Sequence, residues 1–508
     1  MSTHQIQLAR PVGSIWALAP EPPHPSIPEM TDPRTAELLA ALESDTTLDA
    51  AGPFMKIAAD YFAQTRTGEG PVSTALTPAA IAARFDEPLP MGLKPLADVA
   101  ARIERDVMSD VNRLMHPMYM GHQVSAPLAA AVWSEVVISA VNNSQAVWEM
   151  SPVGTVLEER VIGWMTQLAG LGPRAGGTFT SGGTEATFTA LLAARAELQP
   201  DAWRDGLKAP YPVLIHGEHA HYAVTRAAGA MGIGTANCIA VPSKDWKMDV
   251  DALAATLERL RKEKRPVLAV VGTAGHTATG AFDDLSAIGD LCEKYGVWFH
   301  VDGAHGASAL FSAKHKFRLA GIEKARTVAW DPHKMMLLPL SAGMLLARDV
   351  RDLERAFSQK APYLFHGAAR DDEVSLDLGT RSFQCSRRSD VLKVWVALQR
   401  LGADGIGGLY EHLCSLTSSL YEMLGERGDV FERIHVPEGN ILCFRMRGTD
   451  EANARVREEY NRSGAGWVTS TVLGERRVLR VTVMNPRTVR TETALLDQVA
   501  ILYLAMQS

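Results

Sequence analysis

Val267–Asp302 reads VLAVVGTAGHTATGAFDDLSAIGDLCEKYGVWFHVD. Its opening run, Val267–Val271, is short, apolar and valine-rich, as a strand buried on both faces would be. Leu285–Tyr295 reads as a helix, and Val297–Val301 (VWFHV) as a second strand. Strand, helix, strand at this spacing predicts parallel neighbours joined by a right-handed crossover. The alternation extends outward: Pro212–Ile215 as a strand, Tyr222–Met231 as a helix, Cys238–Val241 as a strand, Asp249–Lys264 as an amphipathic helix and Thr327–Trp330 as a strand. The expectation is an α/β fold with a mostly parallel sheet covered by helices on both faces.

The flanks read differently. Ala19–Pro33 (APEPPHPSIPEMTDP) is too rich in proline for helix or ladder and reads as an extended arm. Thr35 to about Arg105 is helical in pattern, with loops at Thr67–Pro71 and Asp86–Pro95. The alternation stops around Val374–Arg388. Beyond it a helix at Val391–Leu401 precedes strands such as Ile441–Met446 and Val478–Val483, which fits a smaller α+β unit. Three parts follow: an N-terminal arm and helical segment over 1–104, a large domain over 105–375 and a small C-terminal domain over 376–508.

The 508 residues are 46% hydrophobic and 21% charged, ordinary values for a globular chain. Lys+Arg 51 against Asp+Glu 58 leaves a net charge of −7, which argues against a nucleic-acid binder. Five cysteines without CxxC or Cys/His spacing point to reduced thiols rather than a disulfide scaffold or a metal site. Met1–Arg10 lacks the pattern of a signal peptide, and no apolar window is long enough to span a bilayer. A soluble, cytoplasmic protein is expected.

Three motifs carry chemistry. In Thr178–Ala186 (TFTSGGTEA) the Gly182-Gly183 turn leads into an apolar helix, with Thr184 where an N-cap belongs and Glu185 at the positive helix end. Bare N–H groups there suit an anion; a capped helix with nothing bound is the plainer reading. In Trp298–Gly306 (WFHVDGAHG), Asp302 emerges at the C-terminal end of a parallel strand, the edge where open α/β sheets bind ligands. It is either a strand-end cap or a partner for a cationic ring nitrogen. In Trp330–Lys334 (WDPHK), Lys334 is flanked by Trp330 and Met335–Leu338, which draws it out of water and favours Schiff-base chemistry. His216, His219 and His221 lie close together, but their spacing lacks the partners of a metal site. A nicotinamide dehydrogenase is disfavoured, since no GxGxxG follows an early strand.

TSGGTEA, an isolated histidine, HVDGAHG and DPHK, in that order, resemble the group II pyridoxal-phosphate-dependent amino-acid decarboxylases of fold type I (aspartate-aminotransferase-like). Asn142–Trp164, Val271–Leu285 and Ala361–Trp395 extend the resemblance over about residues 105–490, the last being similar to the glutamate/cysteine-sulfinate branch. The resemblance implies a mostly parallel seven-stranded sheet and pyridoxal 5′-phosphate as cofactor. It implies that Lys334 bears the cofactor, Asp302 pairs with its pyridinium nitrogen, Ala304 and His221 pack on its two faces, and His333 lies beside the attachment point. Gly183 and Thr184 would hold the phosphate and Thr277 would support Asp302. Arg480 would bind a substrate carboxylate, and Gln123 would face the substrate. A homodimer with shared active sites is implied too, residues near Gln359–Glu373 reaching the neighbour.

Three departures from the family pattern matter. His276 stands where many relatives have threonine. Asp331 stands where several have asparagine, and brings negative charge close to the phosphate unless turned away. Between Leu364 and Val374 the mobile-loop tyrosine that reprotonates the substrate carbon is missing; Asp372 or its neighbourhood aligns there, with Tyr363 close by. The expected activity is decarboxylation of an L-amino acid to its amine, of the small acidic type. Aromatic amino-acid or diaminobutyrate decarboxylation and an aldehyde-forming outcome are the alternatives, and a catalytically silent relative is the reading from another class. His366 or His221 is the expected proton donor, under a polar lid at Gly367–Glu373.

Overall fold

The computed structural model describes residues 32–357, 375–488 and 492–505. Residues 32–60 and 82–109 cluster as one compact unit, and residues 61–81 with 110 onward as a second.

In the first unit, Pro33–Ser44 is a helix with no buried residue. Asp32 caps it by accepting from Arg34 N at 3.1 Å, and Pro33 takes the first helical position, where its missing N–H costs nothing. The extended-arm reading of Ala19–Pro33 is thus corrected at Pro33; residues 19–31 lie outside the described residues. Arg102 pairs with Glu87 at 2.6 Å, and Arg84 donates to Ser109 Oγ at 2.9 Å.

The second unit holds a seven-stranded sheet. Its spatial order is Gly176–Thr180, Gly343–Ala347, Thr327–Trp330, Trp298–Asp302, Val267–Thr273, Val213–Gly217 and Cys238–Val241. The last five are mutually parallel. Gly343–Ala347 runs antiparallel to both its neighbours. No helix fills the short connection from Trp330 to Gly343, so the chain can only turn back on itself there. Side chains alternate between two buried faces, Ile215, Val270, Val301 and Val328 on one, Leu214, Ala269, Val271 and Ala329 on the other. Burial on both faces is why VLAVV shows no polar alternation. The Gly183–Leu198 helix covers the second face, and Ala186, Ala190 and Ala194 let it lie close.

A four-stranded antiparallel sheet follows, ordered Phe431–Arg433, Ile441–Met446, Arg476–Thr482 and Thr469–Leu473. The helix read at Val391–Leu401 continues to Glu426 across a kink at Gly402, whose φ of +68° favours glycine. Among the described residues no helix is long and apolar enough to cross a membrane.

Candidate active site

The carboxyl ends of the sheet strands gather the chemistry. Thr180 leads into Ser181-Gly182-Gly183, Gly217 into His219 and His221, Thr273 into Gly275 and Thr277, and Trp330 into Asp331, His333 and Lys334, while Asp302 ends its own strand. These segments enclose a cavity of about 360 Å³. Its wall includes Gly183, Thr184, His221, Thr277, Asp302, Ala304, His333 and Lys334, eight side chains or backbones from five separate strand ends. Arg480 and Gln123 are not in that wall. Arg480 reaches it indirectly, donating from Nη1 to Thr277 O at 2.7 Å. Gln123 keeps a buried Nε2 without a hydrogen-bond partner, two residues from Ser125, whose Oγ donates to the carbonyls of His333 and Leu338, both at 3.1 Å.

The glycine turn is tight. A Cβ on Gly183 would lie 2.8 Å from Ala304 Cβ, and one on Gly182 would lie 3.2 Å from His333 Cε1. Thr184 is not the N-cap. The helix begins at Gly183 with Gly182 in the cap position, and Glu185 reaches back through Oε2 to accept from Ser181 N at 2.8 Å and Ser181 Oγ at 2.6 Å. Glu185 thereby closes the turn from inside the helix and leaves Thr184 facing the cavity in the first turn.

Each ring at the site is fixed by a neighbour. His221 Nδ1 accepts from Ala223 N at 3.2 Å and His333 Nδ1 from Ala342 N at 3.1 Å, so each neutral ring carries its proton on Nε2. Burial pushes both below the ordinary histidine range, against the carboxylates of Asp302 and Asp331 respectively. Asp302 is buried and accepts from Ala304 N at 3.2 Å through Oδ1. Its partner across the ladder is Thr273, while Thr277 spends its carbonyl on Arg480. Lys334 Nζ lies 3.2 Å from Asp331 Oδ2, the same oxygen that accepts from Gly183 N at 3.0 Å. Asp331 is therefore turned toward the glycine turn, not away from it.

Arg480 is buried, which pushes its pKa below the ordinary value, and its Nε donates to Thr469 Oγ1 at 3.2 Å. Among the described residues no carboxylate forms an ion pair with it. A desolvated guanidinium bonded only to neutral oxygens is suited to an anionic ligand.

This chain matches the family described as "Pyridoxal-dependent decarboxylase conserved domain" over residues 78–447. It belongs to the pyridoxal-dependent decarboxylases. The decarboxylase is 36% identical over 411 residues to an L-2,4-diaminobutyrate decarboxylase of Rhizobium meliloti (strain 1021), covering 79% of this chain and 80% of that one. It is 36% identical over 332 residues to an acidic amino acid decarboxylase of Xenopus tropicalis, covering 65% of this chain and 64% of that one. The crystal structure of mouse CSAD superposes with a TM-score of 0.83 at 27% identity, over 92% of this chain and 99% of that one. The enzyme is a pyridoxal-phosphate-dependent amino-acid carboxy-lyase of fold type I. The residues at its site fit that cofactor: a turn that any Cβ would fill, a buried strand-end carboxylate and a partly buried lysine amine face one cavity.

Three features of the decarboxylase escaped the motif reading: the place of His305, the pairing of His276 with Asp283, and Ser125. His305 sits in the cavity wall and bonds Asn440 Oδ1 through Nε2 at 2.7 Å. Burial pushes its pKa down to about 3, so it is neutral. Its partner is 135 residues away, beyond any local pattern. His276, the departure from threonine, donates from Nε2 to Asp283 Oδ1 at 2.9 Å and from Nδ1 to His219 O at 3.2 Å. Burial opposes its charge, but Asp283 outweighs that and holds the imidazole above its ordinary range. Asp283 also accepts from Thr273 N and Met248 N, both at 2.8 Å, so the pair ties the loop carrying His221 to the strand beside Asp302. Ser125 is the third, with no signal in the sequence. The expected lid, with Tyr363, His366 and Asp372, lies outside the described residues.

Proposed function

We propose that the enzyme decarboxylates a small acidic L-amino acid to its amine, with the cavity below Lys334 as the active site. The convergence of Lys334, Asp302 and the Gly183 turn on one sheet edge carries the reading of the site. Lys334 holds the cofactor aldehyde, Asp302 its ring nitrogen, and Gly183 and Thr184 its phosphate. Ala304 and His221 pack on the two ring faces, and His333 flanks the attachment point. The bound cofactor serves as an electron sink for the bond that breaks at the substrate α-carbon. Asp302, a buried carboxyl at the strand end, sustains that sink by pairing with a protonated ring nitrogen.

The substrate must be held so that its α-carboxylate can leave. Arg480, a buried guanidinium without an ion-pair partner among the described residues, binds a substrate carboxylate, and its planar fork suits a two-oxygen acceptor. Gln123, with its buried and unpartnered Nε2, faces the substrate from the neighbouring segment. The proton that replaces carbon dioxide comes from water that His221 orients through its Nε2–H, since burial keeps the ring neutral and its Nδ1 accepts from Ala223 N. Diaminobutyrate is the second reading of the substrate, favoured by the longer match to the Rhizobium relative.

Residues 105–375 hold the cofactor, 376–508 supply Arg480, and 1–104 serve assembly. The assembly is a homodimer. Leu42 and Leu48 are 64% and 89% exposed in the first unit, and Val153 and Val156 80% and 54% exposed in the second, apolar surface that a second copy would cover. Five free cysteines are in keeping with a reducing cytoplasm.

Amine products should be measured with glutamate, aspartate, cysteine sulfinate and 2,4-diaminobutyrate. Amine from one of the three acidic substrates, lost in Lys334→Ala, is the expected result. Amine from diaminobutyrate alone overturns the acidic assignment, and full activity of Lys334→Ala overturns the site.

A further inference from the structure

Asp331 is about 1% exposed and sits where the positive end of the Gly183–Leu198 helix meets the cavity. Its Oδ2 collects Gly183 N–H at 3.0 Å, Lys334 Nζ at 3.2 Å and His333 Nε2 at 3.5 Å. Its Oδ1 is buried and has no hydrogen-bond partner. The carboxylate therefore already occupies one of the N–H groups assigned to the phosphate, and its second oxygen remains unsatisfied beside that position. A Cβ on Gly183 would come within 3.2 Å of Oδ2, so there is little slack between turn and carboxylate.

We propose that Asp331 is an internal competitor of the cofactor's phosphate: it fills the anion cradle of this chain, weakens retention of the phosphorylated cofactor, and holds the Lys334 ammonium until the phosphate arrives. The inference rests on the assignment of Gly183 and Thr184 as the phosphate cradle. Two anions cannot share one N–H and one helix end without repulsion, and burial keeps water from screening it. The phosphate must push the carboxylate off Gly183 N. The same movement breaks the contact to Lys334 and releases the amine that the cofactor needs. The local cations and donors facing Asp331 are Lys334 and His333 from its own segment and the Gly183 turn from across the cavity; His221 lies further off, with its Nε2 proton. An asparagine there would satisfy the turn without the charge.

The test compares pyridoxal phosphate with pyridoxal, which lacks the phosphate, on cofactor-stripped full-length protein by equilibrium titration of bound-cofactor absorbance. The ratio of the two dissociation constants isolates what the phosphate contributes. Asp331→Asn and Asp331→Ala should each raise the preference for the phosphorylated form by about tenfold or more, the scale of one removed like-charge contact. Gly183→Ala should lower it, because the added methyl blocks the cradle. If Gly183→Ala lowers the preference and both Asp331 variants leave it within about twofold of the parent, the competitor role is wrong. If no variant, Gly183→Ala included, moves the ratio, the cradle assignment fails and the proposal with it. If one Asp331 variant does not fold, the other decides, since both remove the charge.

Discussion

Arg387→Met should cost about 3–5 kcal/mol of folding stability, the scale for breaking a buried pair. Arg387 bonds Glu158 through both terminal nitrogens, Nη1 to Oε2 and Nη2 to Oε1, each at 2.8 Å, and both side chains are buried. Glu158 does more than neutralise the arginine. Its Oε1 also accepts from Phe179 N at 3.1 Å, in the strand that delivers the Ser181–Gly183 turn, and Gln145 N donates to Arg387 O at 2.8 Å. Removing the guanidinium strands a carboxylate out of water. A domain is held by only ~5–15 kcal/mol, so the loss is a large share of the whole. The double change Glu158→Leu with Arg387→Met leaves no lone charge. It leaves Phe179 N without its acceptor, a cost of about 1–3 kcal/mol, and removes the longer 3.4 Å bond from Gln145 Nε2 to Glu158 Oε2. The double variant should therefore be more stable than either single one. Urea unfolding of the cofactor-free variants, followed by circular dichroism, measures the cycle. Singles costing under about 1 kcal/mol, or a double equal to the sum of the singles, would refute the reasoning.

Lys334→Ala should abolish the visible absorbance of the loaded enzyme and the borohydride-trapped label; a label trapped on another lysine contradicts the attachment site. Arg480→Lys should raise KM for the acidic substrate about tenfold or more, with a smaller effect on kcat, because an ammonium cannot replace the fork that also bonds Thr277 O and Thr469 Oγ1; an unchanged KM removes Arg480 from substrate binding. The His276–Asp283 pair should stabilise fully below about pH 6.5, where the unfolded histidine is also charged, and fade as pH rises through the raised folded value. Its acid limit lies below the ordinary carboxylate range, because Asp283 is held low despite its burial. His276→Gln should flatten the alkaline arm of a stability–pH curve, and an identical arm in variant and parent would rule the pair out. Asn440→Ala should leave His305 Nε2–H unpaired at a cost of about 1–3 kcal/mol in the same unfolding assay, and no loss would mean that another acceptor serves it.

Much of the site was legible because the chemistry sits at strand ends, and strand ends are local. Asp302 follows the apolar VWFHV run and Lys334 follows a buried Thr327–Trp330, so each could be placed on the carboxyl edge before any tertiary contact was known. The strands Gly176–Thr180 and Gly343–Ala347 were not legible as such. The first opens on two glycines, and the second owes its direction to a connection without a helix. Thr184 was misplaced as a cap because Ser/Thr preference at helix starts is a weak local rule. Here a glutamate one turn in had already satisfied the turn.

The alternation of apolar strands and amphipathic helices was enough to determine the α/β class and the edge where ligands bind, since burial on both faces imposes that pattern along the chain itself. Tertiary structure decided which groups meet across it: Asp331 on Gly183 N over 148 residues, His305 on Asn440 over 135, Arg480 on Thr277 over 203. These pairings depend on how strand ends and the second sheet converge in space. A carboxylate or a guanidinium reads the same in sequence whether it meets water, a helix end or a neutral carbonyl, and its chemistry follows from which of these it meets.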